Sequence, residues 1–260
     1  MSSLAALGVS VAYAEREVLH GVDLALSGGE VLAIVGPNGA GKTSLLRALA
    51  GVVSPSTGEV RLDAHPLGTL TRGDIARSIA VVPQDVPSAP GFTVREVVAM
   101  GRAPHQDAWL RERREDASAI DAAIERCAIG ALAERPFDRL SGGERKRVLV
   151  AQALAQAPRV LLLDEPSAFL DLRYAVALFE LAREEAARGV AVAAIVHDLA
   201  LAARFADRIA LLVDGSIVAV GGPDAVLTEE TLGSAFGVPI RRLRDEQAGT
   251  MAFAPGPRSR

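Results

Sequence analysis

The most informative stretch of this chain is Gly36-Pro37-Asn38-Gly39-Ala40-Gly41-Lys42-Thr43. It has the spacing G-x-x-x-x-G-K-T, which is typical of a loop that binds phosphate groups. The apolar run Val31–Val35 before it predicts a buried strand, and the leucines of Lys42–Ala50 after it have helical spacing. A strand, this loop and a helix in that order predict a phosphate-binding P-loop. The alternative is a glycine-rich turn that binds nothing.

The residue types of the loop suit phosphate chemistry. Glycines let backbone N–H groups turn inward around phosphate oxygens, and the N-terminus of the helix contributes the positive end of its dipole. We expect Lys42 to reach the β- and γ-phosphates of a nucleotide, and the Thr43 hydroxyl to bind Mg²⁺. The predicted nucleotide-binding residues of this segment are Gly36, Pro37, Asn38, Gly39, Ala40, Gly41, Lys42, Thr43 and Ser44.

Composition and charge limit the classes of protein that this chain can represent. Its 260 residues are half hydrophobic, with a net charge of −4 and a pI near 5.7. This length suits one large α/β domain. A weakly acidic chain is not expected to bind nucleic acid, because such proteins carry a basic face. Cys127 is the single cysteine, so no intramolecular disulfide can form and a reducing compartment is expected.

No stretch of the sequence predicts a targeting signal or a membrane span. Residues 1–10 lack a cationic start followed by an apolar segment. No later run approaches the roughly 18 apolar residues that a transmembrane helix needs. We therefore expect a cytoplasmic protein, for which any role at a membrane would come through a partner.

The remaining sequence predicts an α/β core with two additions. Residues 4–26 alternate and turn as in an antiparallel β subdomain, and residues 209–220 predict a hairpin. Residues 86–157 combine proline breaks with helical periodicity, which predicts a helical lobe inserted into the core. We expect one domain over residues 1–245 and a flexible tail over residues 246–260.

Polar residues follow three predicted buried strands, at the ends where ligands bind in α/β sheets. Asp164 and Glu165 follow Val160–Leu163, and two adjacent carboxylates repel unless a cation or a proton-transfer role holds them. Asp164 fits an aspartate directed at Mg²⁺, and Glu165 fits a base for an attacking water molecule. Gln84 and His197 follow two other strands, and for each the alternative is an ordinary loop position.

Two further features have both a structural and a functional interpretation. The stretch Leu140-Ser141-Gly142-Gly143-Glu144 opens a helix and presents backbone N–H groups that suit an anion, but it also fits an ordinary N-cap with a glycine-rich approach. Tyr13, shortly before the P-loop strand, fits a core aromatic by periodicity. From the residues alone, the structural interpretation is preferred for both.

Taken in order, these motifs resemble those of the ATP-binding cassette (ABC) ATPases, over nearly the whole chain. The matching motifs are Gly36–Thr43, Gln84, Leu140–Glu144, Val160–Glu165, Asp171 and His197. The Leu-Ser-Gly-Gly-Glu signature is the most specific of them, because other P-loop enzymes lack it. The resemblance implies a P-loop NTPase core with an antiparallel β subdomain and an inserted helical lobe. It also implies ATP and Mg²⁺ as cofactors, and hydrolysis of ATP.

The resemblance also implies residue roles. Cassettes of this family dimerise head to tail and hold two ATP molecules, each between the P-loop of one copy and the signature of the other. The signature residues at this ATP would be Ser141, Gly142, Gly143 and Glu144, and those at the metal would be Thr43, Gln84 and Asp164. Tyr13 would stack on adenine, which reverses the interpretation from periodicity. Glu165 would be the general base, His197 the switch histidine, and Lys42 and Gln84 would complete the catalytic set.

One segment departs from the family pattern. Members usually have a sequence close to E-P-T-S-A-L-D before the helix, whereas here Ala168 lacks a hydroxyl and the bulky Phe169 follows it. This D-loop leads to Asp171 and crosses the dimer interface in the family. The P-loop, base, switch and signature residues are present, so we expect the chain to hydrolyse ATP. The altered D-loop is expected to affect communication between the two copies of the dimer.

Within the family, Gly101-Arg102-Ala103-Pro104-His105 and its surroundings resemble importers of iron–siderophore, haem or cobalamin. For this stretch, the alternative is an exposed loop with a helix-ending glycine. The resemblance implies two cassettes on the inner face of the membrane, beneath integral permease subunits to which a binding protein delivers solute. The other open classes are a soluble ABC ATPase of cluster assembly or translation, a cassette of a different transporter, and a GTPase. The chain lacks the N-K-x-D guanine motif of GTPases.

Overall fold

The computed structural model describes residues 3–86, 89–106, 114–167, 171–245 and 250–256 of the chain. Its strands are β1 (Ser3–Tyr13), β2 (Arg16–Ser27), β3 (Val31–Val35), β4 (Thr57–Leu62), β5 (His65–Pro66), β6 (Ile79–Val82), β7 (Val160–Leu163), β8 (Ala191–Ile195), β9 (Arg208–Val213), β10 (Ser216–Gly221), β11 (Ile240–Asp245) and β12 (Thr250–Pro255). Its α-helices are α1 (Lys42–Leu49), α2 (Arg72–Ser78), α3 (Val94–Ala99), α4 (Arg114–Arg126), α5 (Gly142–Ala155), α6 (Leu172–Ala187), α7 (Leu199–Phe205), α8 (Pro223–Val226) and α9 (Glu229–Phe236). Short 3-10 helices span Leu67–Thr69, Met100–His105, Gly130–Leu132 and Phe137–Arg139.

A six-stranded sheet forms the centre of the molecule, in the order β10-β9-β3-β8-β7-β6. All neighbouring strands from β9 to β6 run parallel, and β10 pairs antiparallel at the edge. Strands β3, β7 and β8 are short apolar runs whose residues are all buried. That composition suits parallel strands covered on both faces. The parallel order places the carboxyl ends of β3, β6, β7 and β8 at one edge, where the predicted site residues follow them.

A four-stranded antiparallel sheet, in the order β2-β1-β4-β5, packs over one face of the central sheet. Residues of β3 alternate between the two faces, because successive side chains of a strand point to opposite sides. Leu32 and Ile34 join the leucines of α1 and the antiparallel sheet in one core. Val31 and Ala33 join α5, α6 and α7 in the other core. The predicted α/β core and antiparallel β subdomain are therefore confirmed.

The regular elements that the structure describes between β6 and β7 are helices, joined by turns and by one isolated β-bridge between Thr93 and Pro136. Thr93 caps α3 and makes a capping box with Glu96, as its spacing predicts. The longest helix among the described residues, α6, has 16 residues. Within the described ranges, no helix combines the length and the apolar character needed to cross a bilayer.

The segment Met100–His105 is a packed connection, and so the interpretation as an exposed loop is wrong. A Cβ atom at Gly101 would lie 2.1 Å from the Gln152 carbonyl oxygen, so only glycine allows this approach to α5. Arg102 is buried; its Nε donates to Asp116 Oδ1 at 2.8 Å, and Nη1 donates to the Ala155 carbonyl at 2.8 Å. The segment therefore fixes the end of α3 against the end of α5.

The C-terminal segment differs from the predicted flexible tail. Strand β12 pairs antiparallel with β11, and Phe253 of β12 packs against the core beside α7. Alternation in this short segment puts Met251 and Phe253 on the packed side, which the sequence interpretation overlooked because of the nearby prolines. Residues 246–249 and 257–260 lie outside the described residues. The domain boundary at residue 245 stays a prediction, although strand pairing crosses it.

Candidate active site

The P-loop joins β3 to α1 in a conformation that requires glycine. Gly36 has φ +149°, and a Cβ atom there would lie 1.9 Å from the Leu212 carbonyl oxygen of β9. Gly41 takes the N-cap position of α1 with φ +99°. The helix therefore begins at Lys42, with its N-terminal N–H groups directed at the loop. This arrangement can bind a phosphate anion.

The Lys42 side chain lies inside the loop. It is 6% exposed, and its Nζ donates to the carbonyl oxygens of Gly36 at 2.9 Å and Pro37 at 2.8 Å. Burial lowers the pKa of Lys42, while the nearby Glu165 and Asp164 carboxylates act against this shift. Phosphate oxygens carry charge and so would be stronger acceptors for this ammonium group than the carbonyls.

Thr43 and Asp164 form a pair of oxygen ligands beside the loop. The Thr43 hydroxyl donates to Asp164 Oδ1 at 3.3 Å. Asp164 is 6% exposed; burial raises the pKa of its carboxyl group, and Glu165 adds to this shift, while the Thr43 hydrogen bond opposes it. A hydroxyl and a carboxylate suit Mg²⁺, which uses few protein ligands and completes its shell with water and phosphate oxygens. The donor set therefore fits this ion.

Glu165 follows β7 and lies at the centre of a hydrogen-bond cluster. Gln84 Nε2 donates to Glu165 Oε2 at 2.8 Å, and His197 Nε2 lies 2.5 Å from Glu165 Oε1. An ionised carboxylate only accepts, so the proton of this second bond belongs to His197 Nε2. Glu165 has φ +45°, a left-handed conformation that is uncommon for a side chain of this size. Strain of this kind is concentrated at functional positions.

These residues line one open cleft of about 880 Å³. The lining residues are Tyr13, Arg16, Val18, Asn38, Gly39, Gly41, Lys42, Thr43, Ser44, Gln84, Glu165 and His197. Tyr13 is 41% exposed, so the interpretation as a core aromatic is wrong. The sequence interpretation missed Arg16 and Val18. Arg16 faces Tyr13 across the turn between β1 and β2, and the polar turn beside an aromatic residue was the available signal.

The signature residues lie at the start of α5 and are not among the residues that line this cleft. The Ser141 hydroxyl accepts from the Glu144 N–H at 3.3 Å, and Glu144 Oε2 accepts from the Ser141 N–H at 2.8 Å. The Ser141 N–H is the main cause of the lowered pKa of Glu144. The predicted N-cap is therefore present, and a single chain keeps the signature apart from the P-loop.

The D-loop prediction falls partly outside the described residues. Ala168 and Phe169 belong to the undescribed segment 168–170, so the departure from the family pattern has no structural account. Asp171 is the N-cap of α6, and its side chain accepts from the Tyr174 N–H at 3.0 Å. Apart from the signature residues and Asp171, the site residues that the sequence predicted lie in the cleft or beside it.

A P-loop, an acidic pair at the end of a parallel strand and a polar cluster around the second acid define a P-loop nucleoside triphosphatase. The chain belongs to the ABC transporter family, whose sequence pattern matches residues 19–168. Membership of this family confirms the predicted ABC ATPase fold, the binding of ATP and the hydrolysis of ATP in transport.

Three curated relatives match almost the whole chain. The hemin import ATP-binding protein HmuV of Rhodococcus jostii is 44% identical, over 97% of this chain and 86% of its own length. The cobalamin import ATP-binding protein BtuD of Halobacterium salinarum is 40% identical, over 96% of this chain and 63% of its own length. The ferric enterobactin transport ATP-binding protein FepC of Escherichia coli is 36% identical, over 95% of this chain and 92% of its own length.

Solved structures of cassettes have the same fold. An ABC transporter assigned to the metal-chelate type, in an inward-facing conformation, has a TM-score of 0.85 and 26% identity, over 98% of both chains. A bacterial ABC transporter cassette solved as a dimer has a TM-score of 0.76 and 26% identity, over 85% of this chain and 98% of its own. The described residues thus have the fold of an ABC transporter cassette.

Proposed function

We propose that this chain is the ATP-hydrolysing subunit of an importer for a metal chelate, with haem, cobalamin and ferric siderophores as the candidate solutes. The observation that carries this proposal is the set of relatives, which match over nearly the whole chain and whose names specify hemin, cobalamin and ferric enterobactin. The similarity to a metal-chelate type transporter supports it. The solute itself would bind to other subunits.

The working unit in this proposal is a head-to-tail pair of cassettes on the cytoplasmic face of integral permease subunits. The separation of the signature from the cleft within one chain supports the pair, because the N-terminus of α5 is then placed to receive a phosphate from a second copy and not from its own cleft. The likeness to a cassette solved as a dimer also supports it. A solute-binding protein would act on the outer side.

Binding of ATP would begin at Tyr13 and the P-loop. The ring of Tyr13 would stack on adenine, and its exposure at the cleft rim leaves that face accessible. The Lys42 ammonium would exchange its two carbonyl acceptors for phosphate oxygens. Thr43 and Asp164 would hold Mg²⁺, which would neutralise charge on the β- and γ-phosphates.

Hydrolysis would be promoted by the cluster around Glu165. Gln84 and His197 each contact one oxygen of the carboxylate, and these two contacts would fix its orientation in the cleft. The water oxygen would form a bond to the γ-phosphorus as the bond to the β–γ bridging oxygen breaks. Glu165 would hold the proton released by the water, and His197 Nε2–H would then exchange Glu165 Oε1 for an oxygen of the γ-phosphate.

A capture experiment tests the proposal. Tagged Glu165→Gln protein is expected to retain a polytopic permease from detergent-solubilised membranes of the native host in the presence of ATP, as identified by mass spectrometry. Lys42→Ala serves as the control that cannot form the ATP-bound state. Recovery of soluble assembly factors or ribosomes instead, from membranes shown to contain intact permeases, would favour the non-transport class of ABC ATPase.

The solute class is tested with the captured permease in proteoliposomes. ATP hydrolysis by the wild-type chain is measured with the cognate binding protein empty or loaded with haem, cobalamin or a ferric siderophore. Stimulation by one of these three supports the proposal and identifies the solute. Stimulation by an amino acid, a sugar or a simple ion, with none by the chelates, would contradict metal-chelate import.

A further inference from the structure

Lysine is rare in this chain, and both of its lysines lie buried beside the nucleotide cleft. Of the 28 lysine and arginine residues, only Lys42 and Lys146 are lysines. Lys42 belongs to the P-loop, whereas Lys146 lies in α5 outside the motifs that the sequence interpretation selected. Lys146 is 3% exposed, so its ammonium group must find acceptors within the protein.

Those acceptors are in the loop that follows β6. Lys146 Nζ donates to the carbonyl oxygens of Pro83 at 2.7 Å and Gln84 at 3.1 Å. Burial lowers the pKa of Lys146, and the carboxylates of Asp164 and Glu165 oppose this shift. A compact ammonium group can donate to two adjacent carbonyls in a confined space, whereas the planar fork of arginine has a fixed geometry. Lys146 therefore holds two adjacent carbonyl groups of this loop through a single side chain.

The same loop controls the catalytic carboxylate. The Gln84 backbone accepts from Lys146, and the Gln84 side chain donates from Nε2 to Glu165 Oε2 at 2.8 Å. Gln84 thus contacts both the Lys146 ammonium group and the Glu165 carboxylate. Loss of the Lys146 hydrogen bonds would free the backbone that orients the Gln84 amide.

Helix α5 connects this contact to the other nucleotide site of a dimer. Lys146 follows the signature N-cap Ser141 by five residues, which is about 7.5 Å along a helix axis. The helix is held by buried residues such as Val148 and Leu149, so its first turns move together. One end of this rigid unit would meet the ATP of the partner copy, and the next turn holds the Gln84 loop of its own copy.

We propose that Lys146 is a positioning residue that couples the two nucleotide sites of the dimer, by tying the signature helix to the loop that orients Gln84 and Glu165. The inference rests on the proposed ATP-bound dimer. In this arrangement, ATP held at the signature end of α5 in one site sets the position of the catalytic carboxylate in the other. The coupling affects kcat and the cooperativity of hydrolysis, whereas the affinity of a single chain for ATP depends on the P-loop.

The test compares Lys146→Met and Lys146→Gln with the wild-type chain. Lys146→Met is expected to bind ATP within about twofold of wild type, to lose about tenfold in kcat, and to show a Hill coefficient for ATP hydrolysis that falls toward one. Lys146→Gln keeps an N–H donor for the loop and is expected to recover at least half of the lost rate. Arg147→Met is the matched control, because its contacts are with the Ala128 carbonyl and the Tyr174 ring. We expect Arg147→Met to lower stability and leave the Hill coefficient unchanged.

Dimer formation separates failure of this inference from failure of the proposed function. If Glu165→Gln alone does not dimerise with ATP in sedimentation, the proposed dimer is wrong and the coupling falls with it. If it dimerises and the double variant with Lys146→Met does not, Lys146 supports the signature itself and the inference is overturned. Unchanged kcat and Hill coefficient in Lys146→Met, or equal loss of cooperativity in Arg147→Met, would also overturn it. Dimerisation of the double variant together with the kinetic losses above supports it.

Discussion

At the scale of single residues, the Glu165 carboxylate is the proposed centre of the chemistry, because two side chains that follow different strands contact its two oxygens. Glu165→Gln is expected to reduce kcat by about 10²–10⁴-fold, since an amide cannot accept the proton of the attacking water. ATP binding should persist, and an ATP-bound dimer should accumulate.

Steady-state hydrolysis and sedimentation with ATP measure these two effects. Glu184→Gln, at an exposed position of α6, is the control and should retain wild-type kcat. Rapid hydrolysis by Glu165→Gln would remove Glu165 from the role of general base.

Asp164 illustrates the cost of a functional carboxylate in the interior. Its pKa is raised, chiefly by burial, so the ionised form is disfavoured in the folded chain compared with the unfolded chain. At neutral pH, Asp164→Asn should therefore raise the free energy of unfolding of the nucleotide-free chain, by about 0.5–2 kcal/mol. The gain should shrink as pH falls through the raised pKa of the folded chain and should vanish below the ordinary aspartate pKa of about 3.9, where the carboxyl group is protonated in both states.

Denaturant unfolding at several pH values measures this difference. The same substitution should abolish Mg²⁺-dependent hydrolysis. Asp164→Asn is therefore expected to be more stable and less active than the wild-type chain. A variant that is less stable than wild type at neutral pH would contradict the assigned direction of the pKa shift.

At the scale of elements, α5 supplies an N-terminus that its own chain does not use for the nucleotide cleft. Ser141→Arg should leave ATP binding by the single chain intact and block ATP-driven dimerisation, since a bulky cation replaces the cap that would face phosphate. Sedimentation in the Glu165→Gln background measures this effect.

Thr71→Arg is the matched control, because Thr71 caps α2 with the same capping-box geometry at a position outside the cleft. Both variants should lose about 1 kcal/mol of stability from the missing cap. Persistent ATP-driven dimers in Ser141→Arg would show that the signature does not contact the partner's nucleotide.

The ribbon of β11 and β12 is a second element whose role depends on packing. Phe253 packs against the main core, whereas Leu243 on β11 is 58% exposed. Phe253→Ala should lower the free energy of unfolding by about 1–3 kcal/mol, because it removes a half-buried aromatic side chain. Leu243→Ala, the control on the partner strand, should change it by less than about 0.5 kcal/mol.

Thermal or denaturant unfolding compares the two substitutions. If they have equal effects, the ribbon does not belong to the folded core and the original prediction of a flexible tail would be restored.

At the scale of the whole molecule, each cleft lacks signature residues from its own chain. We therefore expect the specific ATPase activity of the purified chain to rise with protein concentration until dimers form. The apparent affinity for ATP should rise with it, because ATP that promotes dimerisation is bound more tightly by the dimer. Activity measured over a hundredfold concentration range, with sedimentation in parallel, provides the test. Constant specific activity at concentrations where the chain is monomeric would contradict a site composed of two copies.

Much of the fold and the chemistry could be predicted from local sequence patterns. The P-loop, the acidic pair after β7 and the capping boxes at Thr93 and Ser141 depend on residues a few positions apart. Their spacing alone therefore carries the physical requirement, whether for a turn, a strand end or an N-cap. The hairpin of β9 and β10 is a further case, since Asp214 and Gly215 both adopt the positive φ angles that its turn predicts.

Tertiary structure alone decided the features that depend on distant residues. Tyr13 has the periodicity of a core position but lies at the rim of the cleft, and β12 becomes a strand because β11 and the core are beside it. Lys146 acquires its partners from a loop 62 residues earlier in the chain. The sequence by itself thus determined the identity and order of the reactive groups, because these follow from short-range geometry. Which groups meet was determined by the packing of strands and helices, because burial and hydrogen bonding between distant segments exist only in the folded chain.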